Sequence, residues 1–94
     1  VTEISVESIE ENEDSTVFSV EVAESGSSSN HRVTLANADY EKLASEGVKR
    51  EELIEESFRF LLEREPKESI LSSFDLTVIG NYFPEYEEKI ADRL

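Results

Sequence analysis

The hydrophobic period of the chain changes once, and that change sets what the chain can fold into. Up to Leu35 apolar residues alternate with polar ones. Ile4 and Val6 fall on one face of a pleated strand with Glu3, Ser5 and Glu7 on the other. Phe18, Val20 and Val22 repeat the pattern opposite Ser19 and Glu21, and Val33 and Leu35 repeat it opposite Arg32 and Thr34. The spacing predicts strands over about residues 2–8, 16–23 and 31–36. The polar stretches between them, Glu10 to Ser15 and Glu24 to Asn30, are too short for a crossover helix, so the strands form an antiparallel meander.

Beyond Leu35 the period is near 3.6. Asn37 is placed to cap a helix over about 38–46, with Tyr40, Leu43 and Ala44 at helical spacing and Gly47 as its stop. The strongest signal covers about 49–64, where Leu53, Ile54, Phe58, Leu61 and Leu62 make one stripe and acids cover the rest. Phe60 widens that stripe toward a second contact, and Glu55 stands one turn before Arg59 on the exposed side. Pro66 disfavours helical angles at Glu65 and suits the first position of a new helix, so "EREPKESI" reads as a corner with Arg64 in reach of Glu68. Three further helices are expected, over about 66–73 with Ile70 and Leu71, 75–82 capped by Asp75, and 84–93 with Tyr86 and Ile90. Strands segregated from four to five helices imply one α+β domain over residues 1–94, its long helix packed across the sheet.

Composition bounds the function. Twenty-three acids against nine bases give a formal charge of −14. That charge suits either a salty cytoplasm or a basic protein partner, and it opposes contact with nucleic-acid phosphates. No Cys and a single His, His31, remove thiolate chemistry, disulfides, zinc clusters and haem ligation. His31 itself reads as a half-exposed residue at the mouth of a strand. No apolar run approaches a membrane span, and "VTEISVESIEEN" has neither the basic nor the apolar region of a signal peptide. The expectation is a cytoplasmic, monomeric protein with no membrane contact.

No catalytic or cofactor pattern is present. No Ser lies in a nucleophile turn, three Gly cannot build a phosphate loop, and the acidic "EENEDS" lacks the spacing of a calcium loop. Convergent carboxylates would be the one route to an enzyme, and a domain of this size leaves little room for a substrate pocket. A non-catalytic interaction module follows by elimination, with no metal or cofactor. Its contact residues are expected in "YFPEY", as Tyr82, Phe83 and Tyr86, and at the charged corner, as Arg64 and Lys67.

Two local resemblances accompany that reading. Residues 31–64, "HRVTLANADYEKLASEGVKREELIEESFRFLLER", resemble the ribbon-helix-helix DNA-binding fold in element order. The resemblance implies a dimeric regulator or antitoxin whose paired strands enter the major groove, with Arg32 and Thr34 at the base-reading positions. Residues 58–86, "FRFLLEREPKESILSSFDLTVIGNYFPEY", are similar to a segment of short uncharacterised prokaryotic proteins. That similarity brings no assigned activity or site.

Overall fold

The computed structural model describes residues 2–44 and 47–94. Three long strands open the fold: β1 (Thr2–Glu11), β2 (Ser15–Glu24) and β3 (Ser27–Ala36). They pair antiparallel in sequence order, as the alternation requires. Each strand is longer than its apolar core, because backbone pairing continues through polar residues once the register is set. Most of the expected second loop is therefore strand. Only Ser25 and Gly26 remain as the turn, both at positive φ (48° and 82°), which matches the right-handed twist of a two-residue hairpin. Ile9 is the extra residue of a bulge between Ser8 and Glu10 and stands exposed.

Helices follow on one face: α1 (Asn37–Leu43), α2 (Arg50–Leu62), α3 (Val78–Tyr82) and α4 (Tyr86–Arg93). The inward sheet residues Phe18, Val20, Val22, Val33 and Leu35 meet Leu53, Ile54, Phe58 and Leu61 of α2 in one core. The architecture is α+β in two layers, a meander and then helices, with α2 packed on the sheet. The outward face carries Glu3, Glu7, Glu21 and Arg32, all exposed. Glu55 and Arg59 pair at 3.0 Å on the outer side of α2. Phe60 is buried edge-on against Phe83 and Tyr86, the second contact its position predicts.

Several local expectations are corrected. Asn37 does not cap α1. Its Nδ2 donates to the Glu13 carbonyl at 3.2 Å and its Oδ1 accepts from Arg50 at 3.4 Å, so it ties the first hairpin to α2. α1 ends at Leu43, where Ala44 turns extended; residues 45–46 of the expected helix lie outside the described residues.

The largest difference lies at 66–75. In place of a helix there is one 3-10 turn, Lys67–Ser69, and then a fourth strand, β4 (Ser73–Asp75), parallel to β3. Ile70, Leu71 and Phe74 have helical spacing, but Ser72 and Ser73 favour helix weakly, and β3 would otherwise leave backbone groups open. Pairing satisfies them: Arg32 N–H donates to the Ser72 carbonyl at 2.8 Å and Leu76 N–H to the Thr34 carbonyl at 2.9 Å. Asp75 does not cap the next helix, which starts later, at Val78; its Oδ1 closes a local turn instead, accepting from Thr77 N–H at 3.0 Å and from Thr77 Oγ1 at 2.7 Å.

Candidate protein-contact groove

Beneath the outer edge of β4 the core is incompletely covered. The chain passes from the 3-10 turn through Ile70 and Leu71 into β4, then reverses into α3. Between these two arms lies an apolar groove of about 180 Å³. Leu71 and Phe74 line it from the first arm and Val78 and Tyr82 from α3, with Phe83 and Glu65 also in its lining. Val78 and Tyr82 share a wall because four residues bring helix positions onto one face. Leu71 is 47% exposed and Tyr82 67%.

His31 fixes one wall. It is buried, 4% exposed, rather than half-exposed at an edge, because β4 and the segment before it cover β3. Its Nδ1 lies 2.8 Å from the Leu71 carbonyl, which can only accept, so the proton sits on Nδ1. Nε2 then accepts from Ser29 Oγ at 2.8 Å. The ring also packs at 5.3 Å, centroid to centroid, on Phe58.

The five expected contact residues separate into one that is exposed and four that are half-buried or buried. Tyr82 is on the groove and open to solvent. Phe83 is half-buried, edge-on to Phe60 at 5.9 Å. Tyr86 is buried at 1% exposure, its hydroxyl 2.6 Å from Ser57 Oγ. Burial pushes that phenol up to about 12. Arg64 lies 3.7 Å from the Phe60 ring centroid, donates to the Phe60 carbonyl at 3.2 Å and pairs with Glu85 at 3.4 Å, so it fastens the end of α2 to the start of α4. Lys67 is buried along its stem, and its ammonium meets Glu68, whose carboxyl that contact holds below its usual range. The expected Arg64–Glu68 pair is not formed: Lys67 takes Glu68, and Arg64 takes Glu63 and Glu85.

Arg32 and Thr34, the expected DNA-facing pair, lie on the outward face of β3. Arg32 pairs with Glu10 at 3.3 Å across β2. β3 has β2 on one side and β4 on the other, whereas a ribbon between two chains needs that strand free. Their placement lends the DNA-contact expectation no support.

A larger polar cleft of about 390 Å³ lies at the start of α2, where Glu11 and Glu51 face Lys49 and Arg50. Opposed charges leave it no net attraction for an ionic ligand. Among the described residues no group of three or more acid or His side chains is placed to hold a metal ion. No helix among them is long and apolar enough to cross a membrane. No protein-family model, curated protein or solved structure matches the chain.

Proposed function

We propose that the domain is a non-catalytic, acidic protein-interaction module that takes one large apolar side chain of a basic partner into the Leu71–Tyr82 groove. One observation carries this reading. Of the three large apolar residues left exposed among the described residues, Ile9, Leu71 and Tyr82, two line the same concavity. Scattered exposure is ordinary, but paired exposure on a concave surface is what a contact site needs. The size of the groove narrows its occupant. About 180 Å³ falls below the roughly 300–1,000 Å³ of a small-molecule site, and it suits a single inserted side chain. The charge narrows it again: Glu65 lines the groove, the neighbouring bases Arg64 and Lys67 are already paired with Glu63, Glu85 and Glu68, and the chain as a whole carries −14. A salt-rich cytoplasm accounts for the charge as well, though not for the exposed apolar wall.

The test is an amide-resolved NMR titration with four capped pentapeptides of Lys and Arg carrying Leu, Ile, Phe or Trp at the centre. At least one should shift Leu71, Val78 and Tyr82 together, and Leu71→Ser should remove the response with the fold retained. Absence of shifts at the groove for all four peptides overturns the reading.

A further inference from the structure

We infer that the partner binds as an added strand along β4, and this rests on the groove reading above. In a parallel pair the backbone groups of alternate residues point to the neighbour and away from it. Ser72 and Leu76 bond to β3, and Phe74 is in register with Val33. The N–H and C=O of Ser73 and Asp75 therefore point outward, and they take no backbone partner among the described residues. This short open edge runs beside the groove, because Phe74 belongs to both.

An antiparallel strand on that edge would form hydrogen-bonded pairs with Asp75 and Ser73 and a non-bonded pair with Phe74 between them. Side chains of directly opposed residues lie on the same face of a sheet. The partner residue opposite Phe74 thus points into the groove with the Phe74 ring, as the apolar anchor. Because the directions oppose, the residue before the anchor stands opposite Asp75 and the residue after it opposite Ser73. Asp75 is half-buried, and Thr77 uses its Oδ1, which leaves Oδ2 for a cation. The occupant is an extended segment reading base, large apolar residue, any residue. Main-chain pairing supplies affinity, and the anchor and the base supply choice, as in other strand-addition complexes.

The experiment uses the best-binding pentapeptide of the four in three singly N-methylated forms. Methylation of the residue before or after the anchor removes a donor aimed at β4, and should weaken binding by about tenfold or more. Methylation of the anchor, whose N–H points away, should change affinity by less than about threefold. In the complex, amide exchange should slow at Ser73 and Asp75 and stay unchanged at Phe74. Asp75→Asn keeps an Oδ1 acceptor for the Thr77 turn and should remove the preference for a base before the anchor. Groove shifts with equal responses to all three methylations, or without protection at Ser73 and Asp75, overturn strand addition and leave the groove reading standing. Absence of groove shifts overturns both.

Discussion

The buried pair of Ser57 and Tyr86 offers the sharpest measurement on this fold. Ser57 Oγ donates its single proton to the Leu53 carbonyl at 2.7 Å, so at 2.6 Å Tyr86 must be the donor to Ser57 Oγ. The two substitutions are then unequal. Ser57→Ala strands the Tyr86 hydroxyl in the core, at a cost of about 2 kcal/mol for an unmet buried donor. Tyr86→Phe leaves Ser57 bonded to Leu53 and costs about 1 kcal/mol. The double variant removes both partners and should also cost about 1 kcal/mol, against about 3 if the effects added, which is a coupling of about 2 kcal/mol. Urea unfolding at fixed salt and neutral pH measures all four proteins, provided the slope stays constant. An additive double variant, or a Tyr86→Phe more costly than Ser57→Ala, refutes the assigned donor direction. Alkali provides a second reading of the same group. Folding raises the Tyr86 phenol from 10 to about 12, so the folded state holds the proton longer than the unfolded one. Its stabilisation is complete below pH 10 and is lost as pH rises through 12, a change of about 3 kcal/mol that Tyr86→Phe should remove.

Lys67→Ala should destabilise by about 2 kcal/mol through its buried stem, and Lys67→Met should recover most of this. Pro66→Ala, at an exposed position, should cost less than about 1 kcal/mol in the same urea titration. Rising KCl should raise the melting temperature, because −14 is screened, while weakening any basic peptide in the groove; a flat melting temperature would count against self-repulsion as a significant term. His31→Ala leaves the Leu71 carbonyl without its ring donor and should cost about 2–4 kcal/mol. Faster exchange at the Arg32 and Leu76 amides, which join β4 to β3, should accompany it.

Much of the scaffold was legible because its signals are local. Alternation through Phe18, Val20 and Val22 gave the inner face of β2, and the Leu53–Leu61 stripe gave the buried face of α2. Pro66 marked the end of α2, but the helix expected to begin at it is only a 3-10 turn starting at Lys67. What lay beyond local reading was β4. Ile70, Leu71 and Phe74 fit a helix by spacing, and their strand-like backbone depends on the unfilled edge of β3, some forty residues earlier. The site inherits the same blind spot. Leu71 and Phe74, which line it, have the spacing of a helix face, whereas Val78 does lie on a helix, α3; His31 reads as exposed because no local signal marks the segment that covers it. Of the expected contacts Tyr82 alone stands open on the groove. Arg64, Lys67 and Tyr86 stand out in the sequence by charge and aromaticity, and in the fold they hold the frame.

The late position of β4 also has a consequence in time. Glu24 meets Ser27 across a two-residue turn, whereas Arg32 meets Ser73 only after both α1 and α2 have been laid down. Closing the longer loop costs about 2 kcal/mol more in chain entropy. The meander is therefore expected to assemble first, with β3 an open-edged strand while the ribosome completes residues 37–75. During that interval the nascent sheet is exposed to pairing with another chain. The carboxylates of the meander, Glu3, Glu7 and Glu21 among them, are then expected to hold one unfinished copy away from the next while the edge of β3 stands open.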